Sequence, residues 1–219
     1  MNDMYIGRTK EGKITVSVSI LVKIITGTFT NKCLTYNKNF GKYVEETFFC
    51  ERLGSSQKYE QLLADIKQKF GTEFVDLYKK IEGELLMRYP DTELASTITK
   101  ESPDSTYLIY AKADLYDKKN DMIIEYKIYS ATRAKSVLRP RYFNGLRWMT
   151  DLQCFLYTYM YRKPVRLCEF IVDYDRRAIT HISEQEYEYY PEVELLLPPG
   201  SIIEYYYRHY CDSSSSSSN

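Results

Sequence analysis

The sequence predicts a mixed α/β domain, with a central mixed sheet flanked by helices. Three observations predict it. Helix-period segments come first, then three short strand-like runs, then one more helix and a pair of strands. Tyrosine is abundant, at 23 of 219 residues, and it suits strands and half-buried surfaces. Hydrophobic residues make up 44% of the chain, enough for a substantial core at this length.

Residues 1–12 read as an irregular lead-in. Residues 14–25 are rich in Val, Ile, Ser and Thr, and fit either a strand or a short helix beginning near Ser17 or Ser19. Residues 40–49 carry Val44, Phe48 and Phe49 at helical spacing. Residues 59–87 repeat Leu62, Leu63, Ile66, Phe70, Phe74, Leu77, Tyr78, Ile81 and Leu85 at helical period, and Gly71-Thr72 divides them into two helices. Residues 93–99, 107–115 and 121–130 are predicted strands, separated by Pro/Asp/Ser and Asp/Lys/Asn turns. Residues 146–161 return to helical spacing through Leu146, Met149, Leu152, Gln153, Leu156, Tyr157 and Met160. Residues 165–174 and 178–182 form a further strand pair. Pro191 and Pro198-Pro199-Gly200 mark loops, and residues 202–210 fit a last strand or a short helix. Residues 213–218 are all serine, have nothing to bury, and predict a disordered tail. The expected organisation is one domain over residues 1–211 and a Ser-rich tail over 212–219.

Lys+Arg and Asp+Glu number 30 each, so the formal net charge is zero. That argues against a protein that coats nucleic acid generally, while leaving room for a local basic groove. The cysteines Cys33, Cys50, Cys154, Cys168 and Cys211 are odd in number, scattered and free of C-x-x-C pairs. With no secretory signal pattern ahead of them, they read as reduced thiols of an intracellular protein, its compartment left open. The most apolar stretch, residues 14–25, falls short of the roughly 20 residues of a membrane span, so no membrane partner is expected. Walker and Rossmann fingerprints are missing, so neither ATP nor a dinucleotide is expected. His181 and His209 read as ordinary packing or rim residues.

The chemistry concentrates around Asp114 and the run Glu125-Tyr126-Lys127. Alternation along a strand puts Glu125 and Lys127 on one face and Tyr126 on the other. If the two segments pair across the turn at 117–121, Asp114 lies close to Glu125. Two carboxylates are hard ligands suited to Mg²⁺, and a lysine beside them can orient or deprotonate a water. Gln153 and Tyr157, at i and i+4, share one helix face.

The pattern Asp114…Glu125-x-Lys127 resembles the PD-(D/E)xK nuclease superfamily. Gln153-x-x-x-Tyr157 is similar to a motif of its RecB-like exonuclease branch, and Gly41-Lys42-Tyr43-Val44-Glu45 resembles the upstream Gly-x-x-x-His helix of those enzymes. Glu45 stands where His is usual, and Lys112 stands where a small residue, commonly Gly, precedes the aspartate by two. Pro90-Asp91 matches the superfamily's letters but lies too early and reads as a turn, and Glu93 reads as an exposed strand-start charge. The resemblance spans roughly residues 41–170. It implies a restriction-endonuclease-like core and metal-dependent, exonuclease-like hydrolysis of DNA in replication, recombination or repair. It implies Asp114, Glu125, Lys127 and Gln153 as catalytic residues. The metal, Mg²⁺ or Mn²⁺, would be held by Asp114 and Glu125, aided by the Tyr126 carbonyl and Glu45, with Lys127 holding or activating the attacking water. Tyr157 would face the nucleic acid.

Arg133, Lys135, Arg139, Arg141 and Arg147 form a basic segment beside this site, interleaved with Tyr142, Phe143 and Trp148. Arg and Lys neutralise phosphates and aromatic rings stack on bases, so DNA is the expected partner, with RNA as the other candidate. The alternative function is a catalytically inactive protein of the same fold, acting as a nucleic-acid-binding or assembly module.

Overall fold

A computed structural model describes residues 5–29, 40–131 and 145–210 of the chain. The expected serine tail, Cys33, Cys211 and most of the basic segment lie outside these residues.

Residues 14–25 turn out to hold both elements their composition allowed. Strand β2 (Ile14–Ser17) passes directly into helix α1 (Val18–Ile25). Ser17 makes the switch: its backbone is extended, and its hydroxyl accepts from the amide of Ile20 as an N-cap. Strand β1 (Ile6–Arg8) pairs antiparallel with β2. Three helices follow, α2 (Phe40–Arg52), α3 (Ser56–Phe70) and α4 (Thr72–Arg88). Gly71, at φ 107°, separates α3 from α4, a backbone that only glycine adopts without strain.

The predicted strand at 93–99 is two short strands in two different sheets, β3 (Thr92–Leu94) and β4 (Ile98–Glu101). The run at 107–115 divides in the same way, into β5 (Tyr107–Ala111) and β6 (Leu115–Asp117). The single central sheet expected from sequence is therefore two mixed sheets. One has the order β1-β2-β5-β4. The other runs β3-β6-β7-β8-β9, where β7 is Met122–Ser130, β8 is Val165–Asp173 and β9 is Ala178–Tyr187. Strands β7 and β8 are parallel, so a crossover must join them, and helix α5 (Gly145–Tyr161) lies on that connection. Residues 202–210 belong to a helix, α6 (Gly200–Tyr210), rather than a strand.

Parallel strands covered on both faces read as near-continuous apolar runs, and β7 and β8 do so. Ile123, Val165 and Leu167 pack into one core with α1, α5, β2 and β5. Ile124, Tyr126, Cys168, Phe170 and Val172 pack into the other with α2, α3 and α4. The five-stranded sheet is thus the middle layer, and each neighbouring pair of residues along β7 serves opposite cores. Among the described residues no helix is long and apolar enough to cross a membrane. Cys50, Cys154 and Cys168 are buried free thiols.

Candidate active site

The turn between β6 and β7 sets the register on which the site depends. Oδ1 of Asp117 accepts from the amides of Lys119 at 3.0 Å and Asn120 at 3.1 Å, the side-chain-to-backbone pattern of an Asx turn. The antiparallel pair then aligns Leu115 with Ile124. Continued by one residue, that register brings Asp114 level with Glu125. The amide of Tyr126 donates to Oδ2 of Asp114 at 2.9 Å, so the Asp114 carboxylate rests on the Glu125–Tyr126 peptide.

Alternation along β7 does what the sequence predicts. Tyr126 points into the helical core, edge-on to Phe48 at a ring separation of 6.0 Å. Glu125 and Lys127 point to the opposite face and form an ion pair. Glu125 is 2% exposed, so its charge depends on these partners rather than on water. Burial alone would lower the pKa of the Lys127 ammonium; the carboxylates of Glu125, Asp114 and Glu45 outweigh burial and raise it.

Helix α5 lies over this face. Thr150, Gln153, Tyr157 and Tyr161 recur at helical spacing and present one side to β7 and the segment before β6. Thr150 and Tyr129 share a hydrogen bond of 2.9 Å. Nε2 of Gln153 donates to Oε1 of Glu125 at 3.0 Å and to the Tyr157 hydroxyl at 3.1 Å. The Tyr157 hydroxyl donates onward to the carbonyl of Lys112 at 3.0 Å. Burial raises the Tyr157 phenol well above its ordinary pKa, and the charge of Glu125 adds to the rise, so it stays a neutral donor. Tyr157, expected to face nucleic acid, is buried with its hydroxyl engaged on both sides.

Glu45 sits on α2 and pairs with Lys42 at 2.6 Å. Its charge adds to the raised pKa of Tyr126, after burial and Asp114, and to that of Lys127, after Glu125 and Asp114. Lys112 lays its ammonium over the Phe49 ring at 4.3 Å. Glu93 stays at the rim, paired with Lys118 at 2.6 Å, and Pro90-Asp91 is a turn. His181 is exposed on β9. Arg133, Lys135, Arg139 and Arg141 lie outside the described residues, as do Tyr142 and Phe143; Arg147 falls in the first turn of α5, its side chain undescribed. Trp148, at 47% exposure, is open to solvent on that helix.

Two features escaped the sequence reading. Glu169 of β8 is level with Lys127, is buried, and accepts from the Ser183 hydroxyl at 3.0 Å. The signal was there: a lone acid inside the apolar run of β8. Tyr161 is the other. Its hydroxyl accepts from the amide of Ala113 at 3.0 Å and donates to the carbonyl of Ser96 at 2.8 Å.

Among the described residues, no three His, Cys, Asp or Glu side chains converge as a ready cation cage. Mg²⁺ rarely needs one: it keeps several waters and commonly takes only one or two protein carboxylates. Asp114 and Glu125, brought together on one peptide, fit that demand, and all their donor atoms are hard oxygens.

No protein-family model and no curated protein matches the sequence. Solved structures do match. A "putative exonuclease" from Eubacterium rectale aligns at 16% identity and a TM-score of 0.54, over 93% of this chain and 82% of that one. The protein SSO0001 aligns at 14% identity over 91% of this chain and 85% of that one, but its TM-score of 0.36 is too low to bear on the fold. The first likeness, at this distance in sequence, shows a shared α/β fold.

Proposed function

We propose that this protein is a metal-dependent nuclease that hydrolyses phosphodiester bonds of DNA in an exonuclease-like manner. One observation carries the reading. A buried glutamate receives Gln153 from α5 and Lys127 from its own strand, while Asp114 rests on the next peptide. This arrangement supports the PD-(D/E)xK reading, since three separate segments supply the four groups of that pattern. The name of the Eubacterium rectale structure agrees with this reading.

Asp114 and Glu125 would hold Mg²⁺ or Mn²⁺, with the Tyr126 carbonyl and Glu45 as further donors. A cation bound there supplies neutralisation of the scissile phosphate and a polarised water. Lys127 presents an ammonium that can hold a water or a phosphate oxygen once it turns from Glu125. Gln153 fixes the Glu125 carboxylate, and Tyr157 fixes Gln153. The basic segment would follow the backbone of the DNA strand. Such an activity serves replication, recombination or repair.

The test is cleavage of labelled single- and double-stranded DNA, linear and circular, with Mg²⁺, Mn²⁺ or EDTA. The protein should cut with either metal, EDTA should stop it, and Glu125→Ala should lose at least ~100-fold in rate. Cleavage that survives both EDTA and the substitution would defeat the proposal. Binding of DNA without cleavage under any metal would favour the inactive, assembly-type reading. The ion pairs Lys127–Glu125 and Lys42–Glu45 are what favour that second reading, because both acids are already neutralised.

A further inference from the structure

The segment 112–114 carries Asp114 between β5 and β6, and those strands belong to different sheets. No sheet ladder therefore holds it, yet Ala113 is fully buried and its amide needs an acceptor. Side chains of α5 take over the task. The Tyr157 hydroxyl holds the Lys112 carbonyl, and the Tyr161 hydroxyl holds the Ala113 amide. The same Tyr161 hydroxyl donates to Ser96, while the neighbouring amide of Ala95 donates to the Asp114 carbonyl at 3.3 Å. The two rings pack edge to face at 6.1 Å, so each supports the other's orientation. Burial raises the Tyr161 phenol's pKa, which keeps it protonated as it bridges the two strands' ends.

We infer that Tyr161 is a positioning residue for Asp114: its hydroxyl locks the chain just before the aspartate to the β3–β4 linker and so fixes where the carboxylate meets Glu125. The inference rests on the nuclease reading for its catalytic consequence, though not for its consequence on cation binding. Groups that hold a metal ligand from behind typically change affinity or activity by about 10–100-fold when removed.

The experiment compares Tyr161→Phe with Tyr107→Phe. Tyr107 makes a hydroxyl-to-carbonyl bond of the same kind, to Pro198 at 2.9 Å, away from the Asp114 segment. Mn²⁺ titration by calorimetry is the first readout, and kcat and KM on labelled DNA are the second. Tyr161→Phe should weaken Mn²⁺ binding by about 10-fold or more and lower kcat with KM within about twofold, while Tyr107→Phe matches the wild type. Equal Mn²⁺ affinity in wild type and Tyr161→Phe overturns the inference. Equal losses in the two variants overturn it as well, since general packing would then be the cause. If the wild type binds Mn²⁺, loses affinity in Tyr161→Phe, and cuts no DNA, the positioning role stands and the nuclease reading falls. A wild type that binds no Mn²⁺ overturns both.

Discussion

Glu125 is where the local contacts of the site meet. Its carboxylate takes a hydrogen bond from Gln153 and an ion pair from Lys127, both inside a face that water barely reaches. Under the proposed nuclease reading, removing the lysine would leave the carboxylates able to hold a cation but would leave no ammonium for the phosphate. Lys127→Ala should therefore lower single-turnover cleavage by at least ~100-fold while Mn²⁺ affinity stays within about threefold, as calorimetry would read it. Unchanged turnover would count against the role given to Lys127. Much of this detail was legible in the chain itself, because i and i+2 on a strand, and i and i+4 on a helix, are geometric facts. Tyr161 was less so. It continues the Gln153–Tyr157 face by one more turn, but its value lies in bonds to main-chain atoms of Ala113 and Ser96. No spacing in the sequence announces a side chain that satisfies a distant backbone. The pairing of Lys42 with Glu45 is local, one turn apart on α2, and a sequence reading could have included it.

Helices α2, α3 and α4 form a layer with an ionisable group inside it. Glu82 of α4 accepts from the Tyr78 hydroxyl, and from Tyr59 of α3 at 3.5 Å. Burial is the main cause that pushes its carboxyl from 4.5 up to about 7; Tyr78 pulls the other way, and Glu51 of α2 adds to the rise. The sign follows from linkage: the folded state holds this proton more tightly than the unfolded chain. The stabilisation is complete below the unfolded value of 4.5 and is lost as pH rises through about 7. Glu82→Gln should flatten the fall in stability between pH 5 and 8, measured by urea denaturation at each pH. A wild type and variant with parallel pH profiles would remove Glu82 from the account. At this scale the helices and their break at Gly71 were readable from periodicity and one residue type. The strands were readable as strands, and the pairs flanking the turns at 117–121 and 174–177 as partners, but the sheet each remaining strand joins was not. Period-2 alternation marks a half-buried strand without saying which sheet it joins, so the divisions at 95–97 and 112–114 went unseen.

The whole molecule sets these pieces in three layers, with the site at the junction of its two sheets. The β6–β7 turn sets Asp114 level with Glu125, and α5 covers them. Zero net charge suits this arrangement, since nucleic acid would be gripped by a local basic segment rather than by the whole surface. The fold was predicted correctly as mixed α/β with helices on the flanks, and the likeness to a solved structure at a TM-score of 0.54 agrees. Two sheets rather than one central sheet is the difference that matters, because the acid-bearing segment lies between them. The most direct measurement is a crystal structure of the protein grown with Mn²⁺, read by anomalous scattering. The account predicts a peak within ligand distance of the carboxylates of Asp114 and Glu125, about 2.2 Å for a hard divalent cation. A well-ordered structure with full Mn²⁺ sites elsewhere, and Lys127 still paired to Glu125 without an ion beside Asp114, would contradict it.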